Sequence, residues 1–401
     1  MSKLFALEEI DTSADAVELE AAPEVGEVAD VQVEVEQELA EAGEAESAIE
    51  EGMGAADQLE EVEAVVADAV EEGEGLDPVA AQAVKVAVEA ICARVGANPK
   101  AVYSLYATEN FQSASSRKAN TKIALEGIGE FLKDLWKKIK AALTRLWEKA
   151  KAFWDKHFSS LGRVKKALES MKTKVAESSG KLKEKAYLDE APGALADAVG
   201  FAGDISVKGI STIIEAHKDF IASSDAVVKS ASDFNAVAGS DLTNPTKAVA
   251  GLKKTPTVKS GALVGGLTIT YKFEADEEEG TATLEVEREN VDRKDKAGVS
   301  LGEKAAVKGL VDEMLKLIAD NIKAKEKLAK TQEAFNKLSL AIEKSINDQK
   351  EDTATELRKS MKVAYAINAK TPSIFSEGLA LNIKLSKAVL GYAALCLKNY
   401  K

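Results

Sequence analysis

The chain is poor in the residues that most chemistry uses. Its 401 residues include only two cysteines, Cys92 and Cys396, and two histidines, His157 and His217. Two distant cysteines form neither a disulfide framework nor a zinc-ligand spacing, so both read as buried apolar thiols. Only 7 prolines and 5% aromatics, beside abundant Ala, Glu, Lys and Leu, point to long helices. The longest apolar run near the C-terminus, residues 388–397, is far shorter than the roughly 20 residues that cross a bilayer. Acidic residues begin at Glu8, so the N-terminus lacks the apolar stretch of a signal peptide, and the expected product is soluble and made in a cytoplasm. No G-x-S-x-G, H-E-x-x-H, P-loop or dinucleotide fingerprint occurs. We therefore expect no catalytic residue, no metal site, no cofactor and no enzymatic activity. His157 lies within a lysine- and tryptophan-rich tract and His217 reads as part of a polar helix face. The glycine-rich run 261–266 leads into a strand and reads as a bulge rather than a phosphate cradle. The acidic run Asp276–Glu279 lacks the spacing of a calcium loop and reads as a solvated turn.

What the chain does have is charge, unevenly distributed. The 53 Lys+Arg and 67 Asp+Glu sum to a net of -14. Residues 1–109 hold 4 basic and 28 acidic residues, a net of -24, while residues 110–401 hold 49 and 39, a net of +10. The surplus is local: residues 117–187 hold 19 basic and 8 acidic residues. Such asymmetry suggests an acidic tail or pro-segment attached to a body suited to polyanions or anionic membranes.

Composition divides the chain further. Residues 1–75 are rich in Ala, Glu, Val and Gly and hold one aromatic, Phe5. With few large side chains to bury, they are expected to be disordered or transiently helical. Residues 76–109 read as a small helical end to this segment, with Asp77 as N-cap and Pro78 in the first turn. Residues 110–240 read as a basic helical region. Residues 241–301 read as an insertion around a β-hairpin, with strands at 262–274 and 281–291 and a turn at 276–280. Residues 302–401 return to helical spacing over 307–324, 327–347, 354–369 and 375–397, with Pro372 between the last two. The expected fold is mainly α: a helical bundle with a long basic amphipathic helix, a small β-hairpin insertion and a disordered acidic N-terminal segment.

The richest tract is 121–158. Its apolar residues recur every three or four positions, as one amphipathic helix requires, and it holds all three tryptophans, Trp136, Trp147 and Trp154. The other face carries Lys133, Lys137, Lys138, Lys140, Arg145, Lys149, Lys151 and Lys156. Gly162 is expected to end or bend this helix, after which the pattern resumes to residue 178. Two readings fit. Either the aromatic stripe packs inside a bundle beneath a solvated lysine face, or the helix engages a membrane interface or DNA phosphates. Both hold if the bundle opens.

The charge boundary coincides with Ala107-Thr108-Glu109-Asn110, where a small residue stands two positions before Glu. The same pattern recurs at 124–126, 167–169, 341–343 and 354–356, mostly within expected helices. Glu109 instead adjoins a polar stretch, 110–120, between expected folded parts, where proteases cut best. With the acidic segment before it and Ser116-Arg117-Lys118-Ala119-Asn120-Thr121-Lys122 and the lysine-tryptophan helix after it, this region resembles the internal head (inner-body) proteins of large phiKZ-like tailed phages. The resemblance rests on residues 100–160. It implies a structural virion protein, made in the host cytoplasm and housed in the capsid interior. It implies cleavage after Glu109 by the prohead protease, packaging with genomic DNA among other capsid-interior proteins, and for some members ejection. The acidic segment would then mask the basic body until maturation, after which binding to DNA is non-specific. The alternative is a membrane-active or pore-forming helical protein whose acidic N-terminus is regulatory, with a host membrane as its partner.

Overall fold

The computed structural model describes residues 23–96, 111, 113–182, 187–201, 203–291, 297–347 and 354–400. Helix α1 (Pro23–Glu71) and helix α2 (Pro78–Arg94) precede the 64-residue helix α3 (Ala114–Glu177). Short elements follow: strand β1 (Tyr187–Leu188) and helix α4 (Gly193–Val199). Helix α5 (Val207–Ser240) and the single turn α6 (Pro245–Val249) lead to strands β2 (Val258–Lys259), β3 (Leu267–Asp276) and β4 (Thr281–Asn290). Strand β5 (Val299–Ser300) precedes helices α7 (Lys304–Asn347) and α8 (Ala354–Lys398). The protein is mainly α, as expected.

Helix α1 corrects the expectation of a disordered segment for residues 23–71; residues 1–22 lie outside the described residues. The tract Val31-Gln32-Val33-Glu34-Val35 alternates like a strand, yet Val31 and Val35 are buried while Val33 is 55% exposed. The period is nearer 3.5. Val28, Val35, Ile49 and Ala56 lie seven or fourteen residues apart, Val31 and Leu59 fall three positions after Val28 and Ala56, and Val66 lies seven after Leu59. Such a seam is that of a helix laid along other helices. The side chains are small, so the segment shows no aromatic signal, but neighbouring helices cover the seam and supply the burial it cannot achieve alone.

Helix α3 is longer than expected at both ends. Its N-cap is Ser113, which accepts a hydrogen bond from the backbone N–H of Ser116 (3.3 Å), so part of the presumed polar linker is helical. Gly162 does not end the helix, whose 64 residues span about 96 Å at 1.5 Å per residue. Helix α8 likewise runs unbroken through Pro372. A proline in a helix interior forfeits one backbone hydrogen bond. Here the flanking side chains engage the ladder: the Thr371 hydroxyl donates to the Ile367 carbonyl (2.8 Å) and the Ser376 hydroxyl to the Pro372 carbonyl (3.3 Å). The two helices expected over 307–347 are also one, α7. Helix α8 contains a window apolar enough to cross a membrane by composition, but 78% of it is buried within the protein. It is apolar because helices α1, α3, α5 and α7 and the sheet surround it.

The bundle directions follow from named contacts. Helix α3 runs antiparallel to α7, with Trp147 stacked on Phe335 (5.4 Å between centroids) and Lys140 paired with Glu343 (2.6 Å). Helix α5 runs antiparallel to α8, joined by Asn235 and Asn368, whose side-chain amides exchange two hydrogen bonds of 2.8 Å. Strands β2, β3 and β4 form one antiparallel sheet, in which β3 and β4 are the expected hairpin, with Tyr271 opposite Val286. The acidic turn is closed by Asp276 Oδ1, which accepts from the N–H groups of Glu278 and Glu279 (2.9 and 3.1 Å), and by Gly280 at φ +68°.

His217 is corrected too. It is buried, 1% exposed, rather than on a polar face. Its Nε2 accepts from the Val264 N–H (3.0 Å), so its Nδ1–H donates to Asn382 Oδ1 (2.8 Å). The glycine-rich run is therefore no strand bulge. It is a tight turn at Val264–Gly266 with Gly265 and Gly266 at positive φ, pinned to α5 and α8 by this imidazole.

Candidate functional site: an acidic helix laid over basic helices

Helix α1 contains seventeen acidic residues and no basic one. It lies antiparallel along α3 for most of its length. Glu24 meets Lys174 and Ser170 near the far end of α3. Glu34 and Glu38 meet Lys156 (3.9 and 2.5 Å), and Glu41 meets Lys149 (3.9 Å). Gly52 lies against Ile139, where an added Cβ would come within 3.1 Å of that side chain. The start of α3 is tied to the corner after α1 by the Leu76 N–H, which donates to Thr121 Oγ1 (2.8 Å).

The second half of α1 also runs antiparallel to α8. Glu46 accepts from the Ser373 hydroxyl (3.0 Å) and Glu50 pairs with Lys370 (3.1 Å). Asp57 and Glu60 share Lys362 (2.7 and 2.6 Å), and Glu63 pairs with Arg358. Lys149, Lys156, Lys174, Arg358, Lys362 and Lys370 are thus neutralised from one helix.

The carboxylates differ in environment. Burial pushes Glu38 upward, but hydrogen bonds from Lys156 and His157 and their charges outweigh it, holding the carboxyl below the ordinary range. Glu24 is lowered in the same way: desolvation is outweighed by Lys174, a backbone hydrogen bond and Ser170. Burial dominates at Glu46 and Glu60 and raises both, despite Ser373 and Lys362. His157, fully buried, donates Nε2–H to Glu38 Oε2 (3.0 Å), and its Nδ1 has no partner among the described residues. The imidazole thus ties α3 to α1.

The residues singled out from sequence fall into three groups. Trp136, Trp147 and Trp154 are all core residues. Trp136 lies against Tyr365 of α8 (5.4 Å) and Trp147 against Phe335 of α7, so in this conformation none faces solvent, DNA or lipid. Lys140, Lys149 and Lys156 pair with carboxylates of other helices, and Lys137 pairs with Asp134 within its own turn (3.5 Å). Lys133, Lys138, Arg145 and Lys151 are exposed and have no carboxylate partner among the described residues. Ala107, Thr108, Glu109 and Asn110 lie outside the described residues. The sequence reading missed Lys174, Arg358, Lys362 and Lys370. Their signal was present as the i, i+4 spacing of Arg358 and Lys362 opposite a carboxylate-rich seam, but it needs the partner helix to be known. Among the described residues no group of three His, Cys, Asp or Glu side chains is placed to hold a metal ion.

The chain belongs to the phiKZ-like phage internal head proteins: the family model of that description matches residues 7–395. The likeness read from residues 100–160 therefore extends across nearly the whole chain. No curated protein and no solved structure matches it.

Proposed function

We propose that this phage internal head protein is a non-enzymatic virion component made as an acid-masked precursor. In this reading the prohead protease hydrolyses the Glu109–Asn110 bond during capsid maturation. The product of net +10 then resides with packaged DNA and is placed to leave the capsid with it. The observation that carries the reading is the pairing of α1 carboxylates with six cations drawn from two helices, Lys149, Lys156 and Lys174 of α3 and Arg358, Lys362 and Lys370 of α8. A mask that touches the cations directly does more than lower net charge: it occupies the groups that phosphates would contact. The four open cations Lys133, Lys138, Arg145 and Lys151 would extend that surface along α3.

The membrane-active alternative loses its main support, because its three tryptophans are buried. Processing is tested by mass spectrometry of trypsin-digested particles. The expected peptide begins at Asn110 and ends at Arg117. Finding only the uncut peptide 101–117 would overturn the reading.

A further inference from the structure

Cutting after Glu109 severs one covalent tie, far along the chain from the contacts that hold α1. Those contacts are of two kinds. An apolar seam, including Val28, Val35, Ile49 and Leu59, is buried along α3 and α8. Flanking it on both sides are the ion pairs to α3 and α8, with Glu38 at the seam itself bonded to the buried His157. Neither kind depends on chain continuity at residue 109.

We propose that the face of α3 and α8 beneath α1 is a docking groove for an acidic amphipathic helix, and that the severed 1–109 segment stays in it as a non-covalent partner. The groove selects by two features. Its floor takes small apolar side chains: Gly52 sits close on Ile139, and the partner seam is mostly Val and Ala. Its rims meet the partner's carboxylates with Lys149, Lys156 and Lys174 on one side and Arg358, Lys362 and Lys370 on the other, so a helix bearing lysines at the positions of Glu38 or Glu63 would bring like charges together beside a half-buried surface. Duplex DNA satisfies the rims but cannot cover the apolar floor. The cut therefore makes the mask separable without removing it, and the six paired cations lose their carboxylate partners only as the segment leaves. The inference rests on the processing reading only for its occasion, since the groove does not depend on which protease acts.

The full-length chain with residues 105–109 replaced by the recognition sequence of a specific protease tests this directly. After cutting, the two pieces are expected to co-elute as a one-to-one complex on gel filtration at physiological salt and micromolar concentration, with the helicity of the uncut chain. Separation of the pieces under those conditions overturns the proposal. A second chain carrying Glu38→Lys and Glu63→Lys is expected to release its fragment after the cut; equal retention overturns the acid selectivity. Failure of either arm leaves the processing reading untouched, because that stands or falls on the Asn110 terminus in particles. A retained segment also means that peptides from 1–109 persist in mature particles alongside that new terminus.

Discussion

At the scale of single residues, His217 shows how a buried polar group acts as a tether. Burial lowers its pKa to about 4, so the folded protein keeps the imidazole neutral between Val264 and Asn382. A depressed folded value means that stability is fully present above the unfolded pKa near 6.5 and is lost as pH falls towards 4. At about 1.4 kcal/mol per pH unit, the loss is about 3 kcal/mol over that window. Chemical denaturation at stepped pH should show this slope, and His217→Gln should flatten it. Two glycines make an opposite pair. Gly75 sits at φ +71°, and a Cβ there would lie 2.7 Å from the Arg117 backbone, so Gly75→Ala should destabilise by about 1–3 kcal/mol. Gly162 lies inside α3 with nothing within 4 Å of an added Cβ. Gly162→Ala should stabilise by about 0.5–1 kcal/mol, read as a higher Tm.

At the scale of elements, α1 is coupled to two helices by different balances. Glu24 and Glu38 have lowered pKa values, so their contribution to the α3 contact is present above pH 4.5 and lost as pH falls through their folded values. Glu46 and Glu60 have raised values, so the folded state favours their protonated forms, and the stability they contribute is lost as pH rises through those values. Acid thus weakens the Glu24 and Glu38 contacts of α1 with α3, while it relieves the burial cost of Glu46 and Glu60 against α8. The Arg358–Glu63 pair is only about one-fifth exposed on either side. Arg358→Ala leaves a half-buried carboxylate without its partner and should cost about 1–3 kcal/mol. The Arg358→Ala, Glu63→Gln double variant should recover part of this, giving a measurable coupling in a double-mutant cycle.

At the scale of the whole molecule, charge separation along the chain becomes charge pairing in space. Helix α1, with seventeen carboxylates and no cation, folds back on helices of the body of net +10, so the protein presents fewer open cations than its sequence contains. Once the segment is removed, binding to duplex DNA should be steeply salt-dependent. If the six uncovered cations all reach phosphates, affinity should fall by about 10³-fold between 50 and 200 mM salt. Fluorescence anisotropy across a salt series checks this, and replacing Arg358, Lys362 and Lys370 with Gln should lower the slope.

Much of this was legible before folding. The long α3, the hairpin and the Asp77 cap are written in local patterns: three-four spacing, alternation around a glycine turn, and a capping side chain beside a first-turn proline. Other features were not. The α1 seam of Val and Ala carries little intrinsic burial and is helical because other helices cover it. Pro372 and Gly162 are local breaking signals overridden by packing along their helices. His217 is polar in any scale and buried because two elements supply its partners.

The sequence by itself determined the charge asymmetry, the mainly helical class and the family resemblance, because each depends on composition or on neighbours a few positions apart. Only the tertiary structure decided that the tryptophans are core, that α8 supplies three of the six cations paired with α1, and that the acidic residues 23–71 form a docked helix. Those facts depend on which distant faces meet, and no local pattern encodes that.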